Sequence, residues 1–222
     1  MNILITGAAG NLGTVVVDYF IATGHKVFAL VSPEKTPKDS QKLDLSYWEA
    51  DLTNETETIK IVDEIVKQHN HIDAAFLLAG GFAMGNIEVS SLEAIHKMIA
   101  INFDTAYTVA RASHSYMSNQ TEGGKIVFVG SKSALETGSG SAMLGYTLSK
   151  ALLFDIASIL NTDSEKSRVT CSVIVPSTID TPANRKAMPG ANVSEWIKPE
   201  AIAMELEKIL LSNSKSEVIK LY

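Results

Sequence analysis

Short apolar segments of strand character alternate along this chain with segments of helical periodicity, and no other feature of the sequence constrains the fold as strongly. Strands separated by helices are typical of a parallel sheet with right-handed crossovers. The predicted strands are Asn2–Thr6, Lys26–Val31, Ser46–Ala50, Asp73–Leu78, Lys125–Gly130, Thr170–Val175 and Glu217–Leu221. The sequence therefore predicts an α/β fold, a doubly wound parallel sheet of these seven strands with helices on both faces.

We predict one domain over residues 1–222, because no Pro/Ser/Gly-rich linker or charge block divides the chain. A composition of 45% hydrophobic and 20% charged residues fits such a globular domain. The segment 177–199 is different, since it shows no sustained period, and we predict that it is a lid over a substrate. Trp196 indicates that part of this segment packs back onto the domain, and a loose surface excursion is the alternative.

Charge and leader signals limit the partners of the protein. The net charge of -6 argues against nucleic acid, because neutralising phosphates takes clustered Lys and Arg. We find no basic leader and no apolar span of about 18 residues, so we expect no membrane partner and a cytoplasmic location. Cys171 is the single cysteine, which excludes an internal disulfide and predicts a buried, inert thiol. No zinc-type cluster is present, so we expect no metal.

The first predicted strand leads into a glycine-rich turn and then a helix. Gly7 permits the tight turn, Gly10 lets the backbone approach a pyrophosphate, and Gly13 permits close packing of the helix on the sheet. The dipole of that helix favours phosphates at its N-terminus. An ordinary strand-turn-helix is the alternative, but the position after the first strand favours a Rossmann-type dinucleotide site. The residues expected to line it here are Gly7, Ala9, Gly10, Asn11, Leu12 and Gly13.

The end of the second strand bears on the type of nicotinamide cofactor. A site for NAD usually has an acidic residue there that hydrogen-bonds the adenosine ribose. This chain has Val31-Ser32-Pro33 instead, with Lys35 and Lys38 nearby, so no carboxylate repels a 2′-phosphate. The sequence therefore favours NADP slightly over NAD, with Ser32 as a cofactor contact. A solvated loop is an equally good explanation of the two lysines.

Two later strand ends are expected to add cofactor contacts. Asp51 and Leu52 follow the third strand and are predicted to lie beside the adenine. Ala79, Gly80 and Gly81 follow the fourth strand and permit another close approach of the backbone.

Tyr146 and Lys150 lie four residues apart in a helical stretch and so share one face of the helix. A free phenol has a pKa of ~10 and transfers protons poorly at neutral pH. We expect Lys150, together with the positive nicotinamide of an oxidised cofactor, to lower the pKa of Tyr146. Tyr146 would then donate a proton to the substrate as hydride arrives. The alternative is a surface pair on an amphipathic helix.

The residues that surround this pair favour the buried alternative. The helix is apolar nearly all round from Leu148 to Leu160, which is typical of a buried helix. In so small a domain this also suggests that one face meets another subunit, so we expect a homodimer or homotetramer. Asn102 shares one face of a second predicted helix with Ile99 and Ala106, so its amide lies among apolar side chains. It is explained either by a structural hydrogen bond to a neighbouring strand or by a kink or water site that links Lys150 to solvent.

Taken together, these residues resemble the short-chain dehydrogenase/reductase family over nearly the whole chain. The tetrad of that family falls on Asn102, Ser131, Tyr146 and Lys150. The resemblance implies that Ser131 hydrogen-bonds the substrate oxygen and that Tyr146 and Lys150 also contact the cofactor. It further implies that the nicotinamide carboxamide is held after the sixth strand, in a segment whose expected contacts are Pro176, Ile179 and Thr181.

Ser133 is an alternative to Ser131 for the role of active-site serine. It lies 13 residues before Tyr146, which is the commoner spacing in the family. Matching the strand end selects Ser131 instead and implies an insertion at 138–141.

Within the family, residues 79–86 and 180–189 resemble the dihydropteridine reductases. This resemblance implies reduction of a quinonoid dihydropterin or another flat, conjugated acceptor, with Phe82 and Ser133 as substrate contacts. The animal reductases have Trp at Phe82, an acidic residue near Val31 and no serine at Ser131. The serine looks more like carbonyl-reducing relatives, so a carbonyl or quinone reductase is one alternative. A dinucleotide-binding redox sensor without turnover is the other.

Overall fold

The strands of the computed structural model, which describes residues 1–33, 35–36, 44–212 and 218–222, form a parallel sheet. The seven strands within these ranges have the order β3-β2-β1-β4-β5-β6-β7. They are β1 (Asn2–Thr6), β2 (Lys26–Val31), β3 (Leu45–Glu49), β4 (Ala74–Leu77), β5 (Gly124–Val129), β6 (Val169–Pro176) and β7 (Val218–Leu221). This confirms the predicted doubly wound sheet.

Helices connect the strands and cover both faces of the sheet. They are α1 (Asn11–Ala22), α2 (Glu55–His69), α3 (Leu92–Ile99), α4 (Thr105–Met117), α5 (Lys132–Leu135), α6 (Leu144–Asn161), α7 (Ser164–Ser167), α8 (Pro182–Ala187) and α9 (Pro199–Leu211). A π-helical turn, Ala100–Asp104, joins α3 to α4, and short 3₁₀ turns lie at Thr137–Ser139 and Val193–Glu195.

The sheet is buried on both faces, which explains why its strands are almost continuously apolar. Leu4 of β1 packs on one side with the apolar faces of α2, α4 and α6. Its neighbours Ile3 and Ile5 point to the other side and pack with α1 and α9. All three side chains are fully buried, and burying a side chain of this size contributes roughly 1.5–3 kcal/mol.

The strand order places the candidate site residues at the carboxyl ends of the strands. The connection reverses direction between β1 and β4, which lie side by side at the centre. In such sheets ligands bind beside the carboxyl ends of the strands at this switch point. Four segments of the candidate site each follow the carboxyl end of a strand. They are the glycine turn, residues 79–81, Ser131 and the segment 177–199.

The segment 177–199 contains more regular structure than its sequence predicts. It holds α8 and a 3₁₀ turn, which are too short to give a visible period. Its two ends are joined, because Ile197 N–H donates to Thr178 O at 2.9 Å and Asp180 N–H donates to Ile197 O at 2.8 Å. Trp196 is partly buried, as expected for a segment that packs back onto the domain. Its role as a lid stays a prediction.

Candidate active site

The glycine turn after β1 is packed so closely that two of its glycines tolerate no side chain. Gly7 has a φ of +63°, and a Cβ there would lie 2.9 Å from the backbone of Ala79. A Cβ on Gly13 would lie 2.1 Å from Gly7 O and 2.8 Å from the Cα of Ala8. Gly13 therefore lets α1 pack closely against the turn by which the chain leaves β1.

The start of α1 fits a phosphate. Helix α1 begins at Asn11, and Gly10 before it supplies no side-chain cap. The first N–H groups of a helix have no partner within the helix and attract anions. Asn11 and Thr181 line one cleft of about 660 Å³, although they are far apart in sequence. Two residues predicted for opposite ends of the dinucleotide thus line the same cleft, and the uncapped start of α1 fits its phosphates.

Two of the residues predicted to hold the carboxamide are themselves held by Asn184. Thr181 is buried and caps α8, since its Oγ1 accepts from Asn184 N–H at 3.2 Å. Ile179 O accepts from the Asn184 side-chain amide at 2.8 Å. Pro176 is the last residue of β6. The segment after β6 is therefore positioned by its own hydrogen bonds.

The adenosine end of the predicted site has an acidic residue that the sequence interpretation missed. Glu49, the last residue of β3, pairs with Val31 at the end of β2. Its carboxylate accepts from Thr36 Oγ1 at 2.6 Å, and Glu49 is exposed. The prediction that no carboxylate lies here considered β2 alone, and only strand register brings Glu49 to this position. Ser32 and Lys35 are exposed after β2, and Lys38 lies outside the described residues.

The residues after β3 are engaged in local hydrogen bonds. The Asp51 carboxylate accepts from Thr53 N–H at 3.0 Å and from Thr53 Oγ1 at 2.6 Å, and these bonds hold its pKa below the usual value. Leu52 is buried, and its carbonyl accepts from Thr108 Oγ1 at 2.7 Å. Asp51 itself remains exposed.

Lys150 is buried at the centre of the site. Its ammonium donates to Val129 O at 2.9 Å, and burial lowers its pKa to about 8. Burial raises the pKa of Tyr146, and the nearby Ser131 hydroxyl opposes that rise in part. The expected lowering of the Tyr146 pKa by Lys150 is not seen, and the ammonium is hydrogen-bonded to a backbone carbonyl instead.

Asn102 lies in the π-helical turn and is fully buried. Its Oδ1 accepts from Gly81 N–H at 3.0 Å, and its Nδ2 donates to Gly81 O and to Ser149 Oγ, both at 3.1 Å. The predicted structural hydrogen bond of Asn102 is thus confirmed, but its partner lies in the loop after β4 rather than in a strand. The predicted kink is present as well, but these three bonds do not link Lys150 to solvent.

The glycines after β4 are explained by this arrangement. A Cβ on Gly80 would lie 2.6 Å from Asn102 Oδ1 and 3.3 Å from Lys150 Nζ. The missing Cβ at Gly80 therefore leaves room for two side chains of the protein, and the close approach to the cofactor stays a prediction. Ala79 N–H donates to Thr6 Oγ1 at 3.0 Å, which ties this loop to the end of β1.

The two candidate serines have different neighbours. Ser131 caps α5, because its Oγ accepts from Ala134 N–H at 3.2 Å, and its hydroxyl lowers the pKa of the nearby Tyr146 phenol. Ser133 Oγ lies 3.1 Å from Ser131 Oγ and accepts from Thr147 Oγ1, also at 3.1 Å. Ser131 is thus the serine beside Tyr146, and Ser133 is hydrogen-bonded to Ser131.

Phe82 lies beside Tyr146, on the solvent-exposed side of the site. Its ring is 58% exposed and meets the Tyr146 ring edge-on, with ring centroids 5.0 Å apart. An exposed aromatic ring at this position offers a surface on which a flat molecule can stack.

Other chemistries find less support in the described part of the chain. Within it, no group of three or more His, Cys, Asp or Glu is placed to hold a metal. No helix in the same ranges is long and apolar enough to cross a membrane. Cys171 is buried as predicted, and burial raises its pKa to about 12, so the thiol is unreactive.

The site combines a doubly wound sheet, a glycine turn, and a half-buried Tyr146 one helical turn before the buried Lys150, which is the framework of a nucleotide-dependent oxidoreductase. The family model for short chain dehydrogenases matches residues 1–192. The chain belongs to this family and is an oxidoreductase of short-chain type with an NAD(P)-binding Rossmann fold.

Among curated proteins, the chain is 28% identical over 208 residues to a dihydropteridine reductase of Dictyostelium discoideum, covering 92% of this chain and 85% of that protein. It is 25% identical to an acetoacetyl-CoA reductase of an Acinetobacter strain, covering 81% and 74%. The crystal structure of gox2181 superposes with a TM-score of 0.88 at 20% identity, covering 99% and 93%. The structure of ElxO with NADP bound gives 0.87 at 17% identity, covering 99% and 96%. The two structures support the fold alone.

Proposed function

We propose that this protein is an NAD(P)H-dependent reductase whose acceptor is a quinonoid dihydropterin or a similar flat, conjugated molecule. The observation that carries the proposal is the exposed Phe82 ring beside the ring of Tyr146, 5.0 Å away. A planar acceptor stacked at Phe82 lies within reach of the phenol. The similarity to a dihydropteridine reductase over 92% of the chain supports the same acceptor class. The segment 177–199 would cover it.

The chemistry divides between the cofactor and three side chains. Bound NAD(P)H would supply the hydride. Because burial raises the pKa of Tyr146, its phenol keeps its proton at neutral pH and serves as the proton donor. Ser131, whose hydroxyl lies near that phenol, would donate to the same acceptor atom. Lys150, with a pKa of about 8, is mostly protonated at neutral pH, and its hydrogen bond to Val129 O holds the helix of Tyr146 against β5.

A reductase of simple carbonyls or quinones is the second candidate, and Ser131 favours it. A serine hydroxyl that donates to the substrate oxygen polarises a carbonyl, whereas a quinonoid pterin accepts its proton at nitrogen. The similarity to an acetoacetyl-CoA reductase supports this candidate as well. An acceptor screen separates the two.

The residues at the carboxyl ends of β2 and β3 bear on whether NADPH or NADH is preferred. The absence of an acid in β2 still favours NADPH slightly, and we expect the Glu49 carboxylate to limit that preference. We also propose that the protein is a homodimer or homotetramer, because Leu148 and Ile159 of α6 are 47% and 66% exposed. The helix that looks buried all round in sequence thus has an open apolar face.

The experiment that tests the function is an acceptor screen with both cofactors. Purified protein should oxidise NADPH or NADH when quinonoid dihydropterin is supplied. Tyr146→Phe should lose about 100-fold or more of that rate while it retains cofactor affinity. Tyr107→Phe, on the exposed face of α4, is the matched control and should keep the rate. An unchanged rate in Tyr146→Phe removes that residue from the mechanism, and turnover of ketones alone selects the second candidate.

A further inference from the structure

Three buried hydroxyls form a chain that leads to Tyr146. Thr147 Oγ1 donates to Ser133 Oγ at 3.1 Å, and Ser133 Oγ lies 3.1 Å from Ser131 Oγ. Each of these three side chains is at most 7% exposed. The Ser131 hydroxyl in turn lies close enough to the phenol of Tyr146 to lower its pKa. The chain thus runs from the second turn of α6 through α5 and back to the catalytic face of α6.

The count of donors and lone pairs allows a direction along these hydrogen bonds in which Ser131 can only donate. A hydroxyl donates one hydrogen bond and accepts two. Ser131 Oγ already accepts from Ala134 N–H at 3.2 Å. Because Ser133 receives its hydrogen bond from Thr147, its own proton is available for Ser131. Ser131 then has both lone pairs occupied, and its remaining capacity is a proton to donate.

Packing around Thr147 keeps water away from this chain. A Cβ on Gly140 would lie 2.6 Å from Thr147 Cγ2 and 2.7 Å from Thr147 Oγ1. The loop that carries Gly140 therefore covers the first hydroxyl at van der Waals distance. Residues 138–141 are the segment in which the sequence spacing implies an insertion, and here they cover the start of the chain.

We infer that Thr147 and Ser133 are positioning residues that make Ser131 a pure hydrogen-bond donor toward the reacting atom. This inference rests on the proposed reductase function and adds to it the reason why Ser131 cannot take the proton of Tyr146. Both hydroxyls, Ser131 and Tyr146, then donate to the same acceptor atom. Two donors directed at one atom stabilise the negative charge that develops there as hydride arrives.

The test is a double-mutant cycle with an isosteric substitution. Thr147→Val keeps the shape of the side chain and removes its donor, whereas Thr147→Ser keeps the donor. Losing one net hydrogen bond predicts that Thr147→Val lowers kcat about 3- to 10-fold with KM for the cofactor unchanged. Thr147→Ser should restore most of the rate. In a Ser131→Ala background, Thr147→Val should have no further effect, because the residue acts only through Ser131.

A second readout does not depend on turnover. The pKa of the Tyr146 phenol can be measured from phenolate absorbance, as the difference between each variant and its Tyr146→Phe counterpart. Thr147→Val should raise this pKa, because a less strictly oriented Ser131 stabilises the phenolate less. If no acceptor is reduced, the proposed function fails while this titration still reports on the chain. An unchanged pKa, or equal losses of rate with and without Ser131, would overturn the inference.

Discussion

The ammonium of Lys150 donates a hydrogen bond to the carbonyl oxygen of Val129 at 2.9 Å, which ties the middle of α6 to the last residue of β5. Ser131 follows Val129 by two residues, so this bond fixes the distance between the helix that carries Tyr146 and the strand end that carries the serine. The lysine is therefore a structural tie as well as a charge.

The first prediction concerns the pH dependence of stability. Burial lowers the pKa of Lys150 from 10.5 to about 8. Below about pH 8 the native and unfolded states both hold this proton, so Lys150 adds no pH dependence. Between about pH 8 and 10 the unfolded state alone holds it, so the free energy of unfolding should rise with pH, by up to about 3 kcal/mol. Lys150→Met should lack this rise in urea denaturation curves, and parallel curves for the two proteins would contradict the assignment.

The second prediction compares two side-chain amides, the buried Asn102 and the half-buried Asn161, which have the same bonding pattern. Asn102 binds both backbone groups of Gly81, and Asn161 binds both backbone groups of Cys171, at 2.9 and 2.8 Å. Replacing either by Ala should cost roughly 1–3 kcal/mol in urea denaturation, because backbone partners are left unsatisfied. Asn102→Ala alone should also lower turnover, since it releases the loop beside Lys150. Equal turnover in the two variants would make Asn102 purely structural.

The third prediction concerns cofactor choice. Glu49→Gln removes a carboxylate at the edge where a 2′-phosphate would lie, so NADPH should bind about 3- to 10-fold more tightly relative to NADH. Fluorescence titration of each cofactor measures the ratio. Glu55→Gln, which changes the net charge equally on α2, is the control and should leave the ratio unchanged. If Glu49→Gln behaves like that control, Glu49 does not contact the cofactor.

The fourth prediction concerns assembly. Leu148→Asp should shift the protein to a smaller species in sedimentation experiments, because a charge would be buried in the proposed subunit contact. Leu211→Asp is the matched control, since Leu211 is 64% exposed on α9, across the sheet from α6. A wild-type monomer, or an equal effect of both substitutions, would remove α6 as the contact.

The sequence predicted the architecture well because strands buried on both faces are continuously apolar. The third strand, predicted at Ser46–Ala50, is observed at Leu45–Glu49, a shift of one residue. Helix α2 begins at a residue of a typical capping type, since the Asn54 side chain accepts from Glu57 N–H at 3.2 Å. These features depend on local chemistry, which a sequence displays directly.

The features that the sequence did not predict depend on which elements become neighbours. The position of Glu49 beside β2 follows from strand register. The donor from Thr147 to Ser133 follows from the packing of α5 on α6. The sign of the Tyr146 pKa shift follows from burial, which a helical pattern does not quantify. Sequence periodicity identified the site, and tertiary packing determined its electrostatics.

The joined ends of the segment between Thr178 and Ile197 have a consequence for how this protein can change over evolution. Because two backbone hydrogen bonds close the base of the loop, the residues between them can be lengthened, shortened or replaced without moving the strand before it or the helix after it. New acceptor preferences can therefore arise by replacement of this one loop, while the residues that transfer the proton keep their positions.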